Sequence, residues 1–131
     1  SDFKAVITNV GSLCHIFARE DSWPSEDLTL EDNLHDLKRH YMEFCQNLAF
    51  AYTVIKGHEE LDGEHRDVIG CVYINPATKF GFAAEVFLWI ADESSVASLP
   101  EREEALLNTV QQWVCSDIWS PVIRGGHVAF P

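Results

Sequence analysis

Apolar residues in the first 48 positions recur with a helical period. Between residues 2 and 19 they return every three or four positions, which predicts an amphipathic helix. Polar residues around Trp23-Pro24 then predict a loop, and Thr29 followed by Asp32 is typical of the amino-terminal cap of a second helix. We expect the buried stripe of that second helix to consist of Leu30, Leu34, Leu37, Tyr41, Phe44 and Leu48.

The pattern changes to that of strands at Phe50. Residues 50–55 are rich in aromatic and β-branched residues and lead into an acidic, glycine-containing loop at 57–67. Residues 68–74 and 83–90 are apolar at nearly every position, which is typical of strands covered on both faces. We therefore expect three consecutive strands, with a turn at Asn75-Pro76.

The last third of the chain predicts a helix and a short closing strand. Residues 98–101 have the pattern of a capping box with proline in the first turn, and the helix should end near Asp117. Residues 122–124 and 127–130 suit a last strand or a hairpin broken at the two glycines. The order helix, helix, strand, strand, strand, helix, strand predicts an α/β (α+β) domain, residues 1–131, with a central sheet covered by helices. The expected buried stripe of the third helix is Leu106, Leu107, Val110, Trp113 and Val114.

The composition agrees with one globular domain and limits the classes of partner that we expect it to bind. Of the 131 residues 47% are hydrophobic, and no apolar run approaches the roughly 18 residues needed to cross a bilayer, so we expect a cytoplasmic protein. The 21 acidic against 9 basic residues give a net charge of −12, which repels phosphate backbones and anionic lipid headgroups. We therefore expect no nucleic-acid or membrane partner, whereas small amines would be attracted.

Metal binding is not favoured by the cysteines or histidines. Cys14, Cys45, Cys71 and Cys115 form no C-x-x-C pair and lie among apolar neighbours, so buried free thiols are expected. His58 and His65 flank an acidic loop without the regular spacing of a calcium site, and a solvated hairpin is the better interpretation. We expect no metal.

Several short segments are similar to those of a known family. They are Trp23-Pro24, Leu28-Thr29-Leu30, Asn33-Leu34, Phe50-Ala51-Tyr52-Thr53-Val54 and Gly70-Cys71-Val72-Tyr73-Ile74. In these segments the chain resembles GNAT N-acetyltransferases. The resemblance covers the element order over about residues 5–120 and implies a mixed, mostly antiparallel sheet. It also implies a strand ahead of the first helix, and we expect that strand to be missing or truncated in residues 1–131.

One motif of the family is missing. Acetyl-CoA-binding members carry an R/Q-x-x-G-x-G/A loop before the third helix, where backbone N–H groups hold the pyrophosphate. Residues 91–100 contain no glycine, arginine or glutamine, and Arg102 is the only basic residue nearby. Glu101, Glu103 and Glu104 instead occupy the first helical turn, where they complement the helix dipole.

The resemblance nevertheless implies positions for a catalytic site. Glu85 matches a strand position where such enzymes place the general base, and the backbone of Leu88, Trp89 and Ile90 would run along the pantetheine of acetyl-CoA. A tyrosine general acid beyond the third helix has no match. Independently, aromatic residues suggest a small-molecule pocket formed by Trp23, Tyr52, Tyr73 and Trp119, with Trp23 and Trp119 at its rim or in a subunit contact.

Two hypotheses of function follow. The missing loop favours a non-catalytic or weakly active GNAT relative that binds a small molecule or a partner. The alternative is an acyl-CoA-dependent N-acetyltransferase acting on a small amine, with acetyl-CoA as its cofactor. An exposed edge strand also predicts a homodimer.

Overall fold

The structure of the protein, a computed structural model, describes residues 2–8, 27–56, 67–78, 80–91, 99–116, 119 and 126–131. Within these ranges helices and strands are both present, and the α+β class is confirmed. The helices are α1 (Asp2–Thr8), α2 (Leu30–Cys45) and α3 (Leu99–Val114), and the strands are β1 (Phe50–Lys56), β2 (Asp67–Pro76), β3 (Ala84–Ile90) and β4 (Val128–Ala129). None of the helices in these ranges has the length and apolar character that a membrane crossing needs.

The four strands form one mixed sheet in the order β1-β2-β3-β4. β1 and β3 both pair with β2 in antiparallel orientation, while β4 is parallel to β3. β2 and β3 therefore occupy the centre, where both faces need a covering layer.

Two apolar clusters cover the two faces of the sheet. On the α3 face, Val110 and Val114 of α3 pack on the sheet, and on the α1 face, Ala5 and Val6 of α1 do so. The double covering expected for the central strands is thus confirmed. The α3 face buries Phe50, Val72, Ile74, Ala84, Val86 and Trp119, and the α1 face buries Cys71, Tyr73 and Trp89.

A β-bulge lies where β1 and β2 approach the end of their ladder. Val54 pairs with Gly70, but the next residue, Ile55, pairs with Val68, so Ile69 is the extra residue in β2. On the other side of β2, a Cβ built on Gly70 would collide with the carbonyl oxygen of Trp89. Glycine at this position allows β2 and β3 to approach closely.

Helix α2 has well-formed ends. The Asp32 backbone N–H donates to the Thr29 hydroxyl at 3.1 Å, and the Thr29 backbone N–H donates to the Asp32 carboxylate at 3.1 Å, which confirms the expected cap. At the other end, Asn47 adopts φ 55°, and the N–H of Leu48 donates to the Glu43 carbonyl at 2.9 Å. This is a Schellman motif with asparagine in the left-handed position.

The prediction that α2 buries its apolar stripe is wrong. Tyr41 is 72% exposed, and the other members of the stripe are between 37% and 65% exposed. The side next to the stripe is the more buried one: Asn33 is only 4% exposed, and the His40 ring lies 5.7 Å from that of Tyr73. Of the stripe, Phe44 contacts the sheet, with its ring 5.1 Å from that of Phe50. Periodicity identifies residues that share a helix face, but the neighbouring elements decide which face is buried.

The remaining elements agree with expectation to different degrees. The predicted helix over 2–19 is described only from Asp2 to Thr8, and its remainder lies outside the described residues. In α3, Val110 and Val114 are buried, while Leu106, Leu107 and Trp113 are half-buried. The closing strand consists of two residues, Val128 and Ala129.

We predict that Gly70→Ala lowers the free energy of unfolding by about 1–3 kcal/mol, because the new methyl group meets backbone that cannot rotate away. Urea unfolding would measure the loss. Gly81→Asn is the matched control. Gly81 has φ 86°, but no atom lies within 4 Å of the position that a Cβ would take. The only cost of this substitution is therefore that of the backbone conformation. Equal, small losses in both variants would contradict the close approach at Gly70.

A second prediction concerns the cap of α2. Thr29→Ala should cost about 1 kcal/mol of stability, because it removes the acceptor of the Asp32 N–H. The hydrogen bond from the Thr29 hydroxyl is the main cause that lowers the pKa of Asp32 below its usual value. The stabilisation linked to Asp32 is therefore present above about pH 4 and is lost as the pH falls through the lowered pKa, and the variant should lose part of this pH dependence.

Thr109→Ala is the control for this measurement. The Thr109 hydroxyl bonds the Ala105 carbonyl one turn earlier in α3, in a helix interior where alanine is the better helix former. A loss at Thr109 as large as that at Thr29 would count against the capping explanation.

Candidate functional site

One row of side chains on the α1 face of β3 contains the candidate base. Because side chains alternate along a strand, Glu85 shares this face with Phe87 and Trp89. The antiparallel register places partners from β2 directly opposite, and these are Asn75 for Glu85, Tyr73 for Phe87 and Cys71 for Trp89. A carboxylate therefore lies at one end of a row of aromatic rings.

Glu85 is a buried carboxylate with a defined orientation. Glu85 is 5% exposed, and the Thr78 hydroxyl donates a 2.9 Å hydrogen bond to its Oε1. The backbone of Glu85 is held between Asn75 of β2 and Ala129 of β4. Thr78 is exposed, so the carboxylate lies one side chain below the surface. Thr78 gives no signal in the sequence, since only the turn after β2 brings it back to β3.

Aromatic and imidazole rings continue the row. The Trp89 indole N–H donates to the Tyr73 hydroxyl at 3.2 Å, which fixes both rings in the core. His40 reaches the Tyr73 ring from α2 with an interplanar angle of 43°. His40 was not among the residues predicted for the site, because helical spacing alone does not show which residue faces the sheet.

Within the described part of the chain, the outer edge of β3 is paired only at its start. β4 pairs with Ala84 and Glu85, and no further strand among the described residues pairs with this edge along Leu88, Trp89 and Ile90. At the end of β3, the guanidinium of Arg102 donates to the Ala91 carbonyl at 2.6 Å. The single basic residue at the start of α3 is thus bonded to the protein's own backbone.

The first two turns of α3 are acidic. Only Glu101 lies in the first turn, because the helix begins at Leu99, and the expected positions of Glu103 and Glu104 are wrong by one turn. All three glutamates are exposed, and Pro100 has no N–H to offer a ligand. Their negative charge opposes the binding of an anion at this end of the helix. Residues 92–98, which connect β3 to this turn, are outside the described part of the chain.

The four aromatic residues expected to form one pocket do not lie together. Tyr52 and Trp119 are on the α3 face, Tyr73 is on the α1 face, and Trp23 is outside the described residues. Trp119 is only 4% exposed, so the structure places it in the core rather than at a pocket rim. The sheet separates these side chains because neighbouring positions of a strand point to opposite faces.

Tyr52 and Trp119 instead belong to a cluster of edge-to-face rings. Tyr52 lies 4.8 Å from Trp113, and Trp119 lies 5.1 Å from both Phe50 and Trp113. Burial raises the pKa of Tyr52. The Trp119 indole nitrogen is buried and has no hydrogen-bond acceptor among the described residues. The cluster extends to α2 through Phe44, whose ring is 5.1 Å from that of Phe50.

The metal and thiol expectations have different outcomes. His58, His65 and Cys14 lie outside the described residues, and within the described part no group of three His, Cys, Asp or Glu side chains could hold a metal ion. Cys71 is buried, as expected. The same expectation is wrong for Cys45 and Cys115, which are exposed near the carboxyl ends of α2 and α3.

The arrangement around Glu85 suits a positively charged nitrogen. A buried carboxylate is costly unless donors or a cation compensate it, and the Thr78 hydroxyl supplies one such donor. A protonated amine binds a carboxylate through charge-assisted hydrogen bonds and gains further from nearby aromatic faces. The same carboxylate can accept a proton from an amine that is about to react.

Comparison of the chain with protein-family models, with curated proteins and with solved structures finds no match. The function is therefore inferred from the geometry of the site.

We predict that Tyr73→Phe costs about 1–3 kcal/mol, because the Trp89 indole N–H loses its acceptor in a buried position. Urea unfolding followed by tryptophan fluorescence would measure the change. Tyr52→Phe is the matched control in the neighbouring strand, where the half-buried ring remains and the loss should be small. Indistinguishable values for the two variants would contradict a structural role of the Trp89–Tyr73 bond.

Proposed function

We propose that this chain is a GNAT-like domain that binds a small amine at Glu85 and does not transfer acetyl groups from acetyl-CoA. The observation that carries the proposal is the buried Glu85 carboxylate at the end of an aromatic row, with Thr78 between it and solvent. The ligand's ammonium group would bond the carboxylate, and its carbon chain would contact the rings of Phe87 or Tyr73.

Electrostatics support an amine over an anionic ligand. The chain carries a net charge of −12, which raises the local concentration of cations and lowers that of a polyphosphate. Anion binding at a helix start needs free backbone N–H groups and a positive field. The start of α3 offers proline and three glutamates instead.

A second candidate, an acyl-CoA-dependent N-acetyltransferase, is supported by one feature of β3. Its edge beyond Glu85 has no strand partner among the described residues, and an extended ligand such as pantetheine would pair there with the backbone of Leu88 to Ile90. In this reaction Glu85 would accept the proton of the attacking amine, and the amine nitrogen would form a bond to the acyl carbon as the thiolate leaves. The acid that protonates the thiolate has no assigned residue.

Calorimetric titration separates the two candidates. We expect a di- or polyamine such as spermidine to bind saturably. Acetyl-CoA should show no saturable heat up to about 1 mM, so its binding free energy should be less than about 4 kcal/mol. Glu85→Gln preserves the shape of the side chain and removes its charge, so it should weaken amine binding at least tenfold. Binding should also weaken with added salt.

The matched control is Glu101→Gln, which removes one exposed carboxylate of the same type at the start of α3. It should leave amine binding nearly unchanged if Glu85 is the site. Saturable binding of acetyl-CoA together with acetylation of an amine would overturn the non-catalytic proposal in favour of the second candidate. Equal amine affinity in wild type and Glu85→Gln would refute the site itself.

A further inference from the structure

Helix α2 carries an exposed apolar face with regular spacing. The face consists of Leu30, Leu34, Leu37, Tyr41 and Phe44, and Leu48 follows three positions after the last helical residue. These six residues, here called the α2 stripe, follow one another at steps of four, three, four, three and four positions. This is the a/d spacing by which helices pack against each other along a narrow seam. We propose that the α2 stripe is the contact surface of a symmetric homodimer, in which α2 of one copy packs antiparallel against α2 of a second copy.

The sheet of the same copy covers only one edge of this stripe. The adjoining side of α2 contains the buried Asn33 and His40, whose ring packs near Tyr73. Phe44 lies at the boundary, because its ring also contacts Phe50 and Tyr52 at 5.1 and 5.4 Å. These contacts anchor the carboxyl end of the stripe to the core, so a partner meets a surface with a fixed shape.

The spacing of the stripe is complementary to itself under a twofold axis. Suppose that two copies of α2 run antiparallel and cross at the level of Arg39. A stripe residue that lies a given number of positions before residue 39 then faces the stripe residue of the second copy that lies the same number of positions after it. Leu34 then faces Phe44 of the second copy, and Leu37 faces Tyr41. Leu30 lies level with the end of the second helix, beyond which Leu48 follows. Every layer is apolar, and the central layer lies next to the axis.

The size of the stripe agrees with a dimer contact. Its six residues are 37% to 72% exposed and together present roughly 600 Å² of surface. This area is at the upper end of the apolar patches found on monomers. It is close to the ~800 Å² that each partner of a standard interface buries. Met42, 58% exposed, adds apolar surface beside the stripe. Large exposed apolar patches of this kind mark interaction sites.

Two other arrangements are separated by experiment. Residues 9–26 of the same chain lie outside the described part and include apolar positions, and if they cover the stripe, the protein is a monomer. If copies instead pair through the β1 edge, the protein is a dimer that does not depend on the stripe.

The first test is the molar mass in solution by light scattering and sedimentation equilibrium. We expect the wild type to be a dimer, and Leu37→Glu and Tyr41→Lys each to weaken dimerisation at least tenfold, because each buries a charge in the central layer. Phe80→Glu is the matched control, since it removes an aromatic side chain that is fully exposed in the turn before β3. Circular dichroism should show that all variants keep the wild-type helix and strand content, because the altered side chains are exposed in the single copy.

The second test is a charge-swap rescue that is specific to the antiparallel alignment. In a mixture of Leu37→Glu with Tyr41→Lys, one central layer pairs the new glutamate with the new lysine and the other keeps the native Leu37–Tyr41 contact. The mixture should therefore associate at least tenfold more tightly than either variant alone. A monomeric wild type at about 100 μM, dimers insensitive to both substitutions, or no gain on mixing would each overturn the proposal.

Discussion

The seven-residue ladder between β2 and β3 is the constraint on which the other features depend. Both strands are apolar at nearly every position, so a sheet built on them buries apolar surface only when each face is covered. α1 and α3 provide those two covers from opposite ends of the chain. The close approach of Gly70 to the backbone of Trp89 is part of the same ladder, and it explains why a residue without a side chain stands in the middle of an apolar strand.

The ladder also decides the composition of the candidate site. Strand alternation sends Glu85 to the α1 face together with Phe87 and Trp89, and the register sets Tyr73 beside them. Tyr52 and Trp119 go to the other face, where they stabilise the core through edge-to-face contacts. One pairing register therefore has two consequences. It places an acidic group among aromatic rings on one face of the sheet and a packed aromatic cluster on the other.

Helix α2 connects the site to the exposed surface. Its polar side contributes His40 to the surroundings of Tyr73, whereas its apolar side is directed to solvent in the single copy. A helix in this orientation leaves apolar surface to be covered by something other than its own sheet. The proposed dimer contact thus lies beside the side of the helix that carries His40, and residues of the two sides are neighbours in sequence, as His40 and Tyr41 are.

Local patterns in the chain were sufficient for the kinds of elements and several of their ends. The Thr29–Asp32 cap, the three apolar strand segments and the third helix were all predictable, because capping, strand composition and helical periodicity depend on residues close in sequence. The orientation of α2 was not predictable, since a periodic pattern defines a face but does not say what lies against it. The same holds for the separation of Tyr73 from Tyr52 and for the bond between Thr78 and Glu85. These depend on strand register and on contacts between distant segments, which arise only when the sheet assembles and its two faces are covered.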